Sequence, residues 1–282
     1  MIGATILIPA YNEAAVIGRT LQYMSRGLPL NRFHIVVIAN ACTDATATKV
    51  LSAQPEATVI ETDMPGKCNA LNLGYQIATK DKPIICLDAD LDVTSESLTA
   101  LIEALRDSSI HAACGQMDVQ TGDTSLVVRA YYKGWRTNPY FDKGKFGGLF
   151  VLSAKAARRV FPLPNVIADD EYIRRSFPSE EIAFVPECRF MARAPKTIGS
   201  LISVRRRSLR GTRALTKLGL PSPERGSPGT VAMRAFRNPS KALPIIVYAF
   251  VNAWARLSLV RNAGSVANDD LWERDLTTRS AG

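Results

Sequence analysis

Three aspartates, Asp88, Asp90 and Asp92, end the stretch "KPIICLDADLDV" (82–93), directly after an apolar run. Carboxylates repel one another and are costly to desolvate, so a cluster where a core strand surfaces calls for a cation. Hard oxygen ligands at this spacing suit Mg²⁺ or Mn²⁺. A second acidic group, Asp169, Asp170 and Glu171 in "ADDEYIRR", opens a helical pattern. Acids at a helix start are favoured by its dipole alone. Three in a row exceed that need and suit a base that takes a proton from a hydroxyl. Gly66 and Lys67 open another helix, where amide N–H groups favour an anion; Asn69 and Asn72 on its first turns are weaker candidates. Asp92 is expected to cap the helix near Ser95 or to be solvated. Each signal is weak alone, since a lone DxD is frequent by chance.

The elements that must position these residues alternate between two periods. "ATILIPA", "FHIVVIAN", "ATVIET" and "PIICLDAD" read as strands, separated by the helical patterns "EAAVIGRTLQYMS", "CTDATATKVLSAQ" and "GKCNALNLGYQIATK". "SESLTALIEALRD" reads as a helix with Ser95 as N-cap, and Thr43 or Asp44 suits the cap of the second helix. Strands that are continuous apolar runs between helices predict a parallel sheet covered on both faces. In such a sheet ligands bind beyond the carboxyl ends of the strands. "PAYNE", "NACTDAT", "GKCNALNLG" and "DAD" would then line one crevice. Beyond residue 120 the pattern loosens. "TSLVVRAYYKGWR" and "DDEYIRRSF" read as helices, "EIAFVPE" and "CRFMARA" as two strands, "TIGSLISVRRRSLRGTRALTKL" as a long basic helix, and "GLPSPERGSPGT" as a loop.

Composition excludes several classes. The 282 residues are 46% hydrophobic and 22% charged, which is ordinary globular material with ample core. Five dispersed cysteines without a CxxC pair read as buried thiols, and His34 and His111 read as core or strand-edge residues rather than zinc ligands. The net charge is +9, and Lys196 to Arg261 carry 13 Lys and Arg against one acid, Glu224. Such a block suits anionic lipid or a phosphorylated substrate. No nucleic-acid reading motif accompanies it, so no nucleic-acid partner is expected. The N-terminus lacks the basic region of a signal peptide, and a cytoplasmic protein, peripheral on the inner face of the membrane, is expected. Leu243 to Val260 is the most apolar segment. Tyr248, Asn252 and Arg256 form a polar stripe on it, with Ile246, Val247, Phe250, Trp254 and Leu257 mostly opposite. An amphipathic helix is therefore expected rather than a spanning one, packed on the domain or lying on a membrane.

Taken together, "ILIPAYNE", "NACTDAT", "GKCNALNLG", "DAD", "GGLFVLSAKA" (147–156), "ADDEYIRR" (168–175) and "VRRRSLRG" (204–211) make the chain resemble the family-2 glycosyltransferases. The resemblance covers residues 4 to 215. It implies the GT-A fold, a Rossmann-like, mostly parallel α/β sheet with helices on both faces. A catalytic domain over 1–215 and a helical, basic C-terminal extension over 216–282 follow. The implied activity is inverting, metal-dependent transfer of a single sugar, of the hexosyltransferase type, from a nucleotide diphosphate sugar to an acceptor hydroxyl. UDP-sugar is the favoured donor, and a lipid-linked saccharide or glycolipid of cell-envelope polysaccharide synthesis is the suggested acceptor.

By the same resemblance Asp90 contacts the Mg²⁺ or Mn²⁺, Asp88 contacts the metal or the ribose, and Asp170 is the base with Asp169 next. Pro9, Ala10, Tyr11 and Glu13 shape the base pocket, with Tyr11 stacking on the ring. The family often has an acidic pair after the second strand. This chain has Ala39 and Asn40 there and retains Asp44, so Asn40 is expected to read the nucleobase edge. Lys67 reaches the nucleotide, and Arg207, in the run Arg205, Arg206, Arg207 and Arg210, suits the diphosphate. Val204 and Ser208 stand where a processive synthase has Gln and Trp, which favours single transfer. A sugar-1-phosphate nucleotidyltransferase or a dehydrogenase would need a glycine-rich loop after the first strand, and "PAYNEAA" has no glycine. A non-catalytic sugar-nucleotide-binding protein is the remaining alternative, which the retention of Asp88, Asp90 and Asp170 opposes.

Overall fold

The computed structural model describes residues 3–138, 144–221 and 241–261. The expected loop "GLPSPERGSPGT" lies outside the described residues from position 222 on. The described chain divides into two compact units, one of residues 3–118 and 144–192, the other of residues 119–138, 193–221 and 241–261.

The first unit is built on a sheet of eight strands in the order β3-β2-β1-β4-β7-β6-β8-β5. They are β1 (Ala4–Ala10), β2 (Phe33–Asn40), β3 (Thr58–Thr62), β4 (Ile84–Leu87), β5 (Asp92–Val93), β6 (Ala112–Gln120), β7 (Leu149–Leu152) and β8 (Ile182–Arg193). The expected parallel arrangement holds in β3-β2-β1-β4. At β7 the sheet turns antiparallel to both β4 and β6, so it is mixed. Alternate residues of β1 enter different cores. Ile6 and Ile8 pack with Ile17, Leu21, Leu98 and Leu101, while Leu7 packs with Leu71, Ala156, Val160 and Ile173. Period-2 alternation with both sides apolar is what covers both faces with helices.

The helices of this unit are α1 (Ile17–Met24), α2 (Thr46–Ala53), α3 (Lys67–Ile77), α4 (Ser95–Ala104), α6 (Ala154–Val160) and α7 (Asp169–Arg175). α1 buries Ile17, Leu21 and Met24 at helical spacing. α3 lies close on the sheet because Gly74 has no Cβ; one there would stand 2.7 Å from Ile38 Cδ1.

Two expectations about α4 change. Its N-cap is Thr94, whose hydroxyl accepts from Ser97 N; the Ser95 hydroxyl instead donates to Leu28 O at 2.7 Å. Asp92 is neither cap nor solvated. It lies in β5 with its side chain 5% exposed, and its Oδ1 accepts from Arg19 Nε at 3.0 Å. A buried carboxylate needs such a partner. The two strands expected in "EIAFVPE" and "CRFMARA" are one, β8, which runs through Pro186. β5 pairs only with Met191 and Phe190, so on that side the strand's Pro186 faces no partner.

The second unit holds α5 (Leu126–Trp135), α8 (Ile198–Lys217) and α9 (Ala242–Arg261). α8 therefore groups with the C-terminal helix, although the resemblance runs through residue 215. Gly134 on α5 admits α9 closely, since a Cβ there would meet Pro244 O at 2.2 Å. Asn138 Nδ2 donates to the Tyr248 hydroxyl at 2.9 Å, and Arg205 Nε donates to Asn252 Oδ1 at 3.0 Å.

The Arg19–Asp92 pair anchors β5 to α1. Asp92→Ala leaves an arginine that is 28% exposed and can turn partly to water, so the loss falls below the range for a fully buried pair, at about 2 kcal/mol. Urea unfolding followed by circular dichroism measures it; a variant within about 0.5 kcal/mol of the parent shows that the pair is not holding β5.

Candidate active site

The loop after β4 is fixed from two sides. From α1, Thr20 Oγ1 donates to Ala89 O at 2.9 Å and the Arg19 guanidinium reaches Asp90 O at 3.4 Å. From the other side, Asp88 N donates to Gly148 O at 2.8 Å. Gly148 has φ +86°, and a Cβ on it would fall 2.4 Å from Asp88 Oδ2. Only glycine both adopts this backbone and leaves room for the carboxylate. The Asp88 side chain is 35% exposed, so it sits in a recess that opens to solvent.

Lys67, the first residue of α3, turns into the same recess. Its Nζ lies 2.7 Å from Asp88 Oδ1 and 3.0 Å from Asp169 Oδ2, and its side chain is 18% exposed. Burial lowers the lysine's proton affinity, but the charges of Asp169, Asp88 and Asp170 outweigh it and hold its pKa well above the usual value. Asp169 is 6% exposed. Burial, with the charges of Asp170 and Asp88, raises its pKa to about 6 against the opposing pull of Lys67. Asp88 is also raised, by desolvation first and then by Asp90 and Asp170, with Lys67 opposing. Four carboxylates thus share one electrostatic neighbourhood with one ammonium.

The position of Asp169 is set from α3. Asn72 clamps the incoming chain in both senses, donating to Leu163 O at 2.9 Å and accepting from Leu163 N at 2.7 Å. Cys68 Sγ adds a contact to Val166 O at 3.4 Å. Asn72 therefore holds the loop before α7, and Asn69 holds its own turn by donating to Met64 O. Asp170, next in α7, is half-buried, and its Oδ1 accepts from Glu171 N at 2.8 Å.

The ends of β1 and β2 meet in a network of polar side chains. The Asn40 side chain is engaged with backbone. Its Nδ2 donates to Ala10 O and its Oδ1 accepts from Gly66 N, both at 3.1 Å, and the residue is 5% exposed. The amide thereby ties two strand ends to the turn before α3. Asp44 works similarly: its carboxylate accepts from Ala14 N at 3.1 Å and from Thr46 N at 3.0 Å, so it joins the loop after β1 to the start of α2. Asn12 and Ala41 carry positive φ of 52° and 50°. The Asn12 side chain compensates by accepting from Thr43 N at 2.7 Å, while Ala41 has no such side chain and depends on its surroundings. Pro9 pairs with Ile38 of β2 beyond the end of the β4 register, so its missing N–H costs nothing. Ala10 and Glu13 are buried, and Tyr11 stands 39% exposed on the lip. Arg207 lies on α8 in the second unit.

Among the described residues, no three Asp, Glu, His or Cys side chains converge into a metal-holding group. The donor chemistry does fit a hard cation held by one or two carboxylates and completed by substrate phosphates, the usual mode for Mg²⁺. Asp88 and Asp90 would be those carboxylates. Sequence reasoning overlooked the Gly148 cradle, for which the pair Gly147–Gly148 directly before a strand was the available signal. It also overlooked the double ion pair of Lys67, which no local pattern announces.

The raised pKa of Asp169 sets a pH dependence. An acid whose folded pKa lies near 6, above its unfolded value near 3.9, stabilises the fold below that unfolded value and loses the contribution as pH rises through about 6. In chelator, the melting temperature of the parent minus that of Asp169→Asn should fall as pH rises from about 4 to about 7. A difference that stays flat or rises across that window shows that Asp169 ionises as an ordinary carboxylate.

The family model for glycosyl transferase family 2 matches residues 5–161, from β1 to the end of α6. The mannosyltransferase PcManGT from Pyrobaculum calidifontis, solved with GDP-Man and Mn²⁺, aligns over 98% of this chain and 83% of its own, at 19% identity and a TM-score of 0.59. Glucosyl-3-phosphoglycerate synthase from Mycobacterium tuberculosis, solved with phosphoglyceric acid, aligns over 78% of this chain and 81% of its own, at 17% identity and a TM-score of 0.56. No match is found among curated protein sequences. At these identities the solved structures establish the fold, and that fold is GT-A. With more than half of its 282 residues matched, the chain belongs to glycosyl transferase family 2.

Proposed function

We infer that this chain transfers one sugar from a nucleotide diphosphate sugar to an acceptor hydroxyl, with inversion at the anomeric carbon. The observation that carries the reading is Lys67, which links the carboxylate at the end of β4 to the acidic start of α7. A donor-side acid and a base-side acid are thereby held together. Solved relatives in fold support the donor class: one holds GDP-Man and Mn²⁺, another Mn²⁺, UDP-Glc and phosphoglyceric acid. A UDP-sugar is the preferred donor for this chain.

Asp170 is the base. It is half-buried at the start of α7, whereas Asp169 is buried and committed to Lys67. Asp170 takes the proton from the acceptor hydroxyl as that oxygen bonds to the anomeric carbon. The bond from that carbon to the phosphate oxygen breaks at the same time, and the nucleoside diphosphate leaves with the electron pair. Asp88 and Asp90 would hold a divalent cation, which when bound supplies Lewis-acid stabilisation of the departing diphosphate. Tyr11, on the lip, offers a ring for the base to stack on.

The acceptor proposed is a lipid-linked saccharide or glycolipid, reached by a protein in peripheral contact with the membrane. The basic stretch from Lys196 to Arg261 supports this, with 13 basic residues to one acid. A purified-protein assay of donor hydrolysis across UDP-, GDP- and TDP-sugars, with and without Mn²⁺, tests the reaction. Asp90→Ala should remove Mn²⁺-dependent hydrolysis. Asp170→Asn should lower turnover about 10²- to 10⁴-fold with donor affinity kept. If no donor is bound or hydrolysed by the parent, the chain is not a transferase of this class.

A further inference from the structure

α9 is apolar on nearly every side: it buries one face on its neighbours and leaves large apolar side chains on the other. Ile245, Val251, Ala255 and Leu259 are buried, and the polar Asn252 goes inward with them at 7% exposure. Asn252 accepts from Arg205 on α8, and its own amide donates to Tyr248 O at 2.7 Å. Tyr248 in turn lies against Tyr131 of α5, with ring centroids 5.3 Å apart. The inward half is thus held by specific polar contacts and close packing at Gly134.

The outward half is apolar. Leu243 is 68% exposed, Ile246, Phe250 and Leu257 63% each, and Trp254 50%. Their spacing of three, four, four and three residues puts them in one stripe, about 21 Å long at 1.5 Å per residue. Phe250 and Trp254 stack along it, with centroids 6.2 Å apart. Exposed Lys241 precedes the stripe, and exposed Arg256 stands beside its far end. Both can carry their charge to the edge of an apolar layer.

By length and composition α9 could also cross a membrane, but only 28% of its apolar window is buried in the protein. The half of α9 that packs on α5 and α8, together with Arg256, rules out a helix ringed by lipid. A second copy of the chain would bring a like-charged region against this one, since Lys196 to Arg261 are strongly basic. An anionic lipid surface matches both the charge and the apolar stripe.

We propose that the outward face of α9 is a monotopic docking surface for an anionic phospholipid membrane, inserting Leu243, Ile246, Phe250, Trp254 and Leu257 to headgroup depth. Its purpose rests on the lipid-acceptor reading above, but the binding is measured apart from the reaction.

The test uses the full chain and vesicles of phosphatidylcholine alone or with phosphatidylglycerol. The parent should float with the anionic vesicles and not with the neutral ones. Phe250→Ser/Trp254→Ser should bind about tenfold or more weakly, given the apolar area removed. Lipids brominated near the headgroup should quench tryptophan emission in the parent and much less in Trp254→Phe. The proposal is overturned if the parent ignores anionic vesicles, or if the double variant binds as tightly as the parent. It is equally overturned if the parent sediments as a dimer that the double variant splits, which makes a second copy the occupant. Donor hydrolysis by the same preparations without lipid separates the two claims: if it fails while the vesicles bind, the fault lies with the reaction, and the converse result faults the surface.

Discussion

The site depends on one ammonium group placed among four carboxylates. Asp88, Asp90, Asp169 and Asp170 are hard to gather beyond the strand ends without it, because like charges at short range repel one another. Lys67 meets two of them at 2.7 and 3.0 Å. With an effective dielectric near 20, a contact of that length is worth about 6 kcal/mol before desolvation, and desolvation takes back much of it. What remains is less a source of stability than a constraint on geometry. β4 and α7 are far apart in sequence, and Lys67 ties the end of one to the start of the other. A cation bound at Asp88 and Asp90 would add positive charge to a recess already arranged for it, and it would compete with Lys67 for Asp88.

The surrounding framework serves the same end by fixing backbone. Asn40, Asp44 and Asn72 each spend their hydrogen bonds on main-chain groups of distant segments. Loops at the strand ends would otherwise be held only by their own turns. Gly148 removes the one Cβ that would collide with Asp88. The strain at Asn12 and Ala41 is stored at these same strand ends, where backbone strain is commonly tolerated for a ligand's sake.

The sheet and its crevice were legible in the sequence because continuous apolar strands and periodic helices leave strong patterns, and because strand ends are where a doubly wound fold puts its chemistry. What stayed hidden depends on where long side chains turn. Arg19 reaches Asp92 across 73 residues, and nothing in the spacing of "DADLDV" separates a caged aspartate from a cap. Asn40 stands where an amide could read a base, yet its hydrogen bonds go to backbone that only the folded sheet brings within reach. Nor does anything in the sequence show that "EIAFVPE" and "CRFMARA" run on as the single strand β8.

α9 shows the same limit for helices. Its polar stripe and apolar stripe are plain in the sequence, but the sequence does not say which faces inward. The usual preference is decided by the hydrophobic effect, which would bury Phe250, Trp254 and Leu257. Here the neighbours decide instead. Arg205 on α8 and Asn138 after α5 offer polar groups where α9 docks, met by Asn252 and Tyr248, and Gly134 lets the helix come close. Ile245, Val251, Ala255 and Leu259 fill that interface beside the paired Asn252, and a second set of large apolar residues is left on the other side. A helix that is apolar on both faces leaves one of them in water, an unfavourable exposure that contact with an apolar layer would remove.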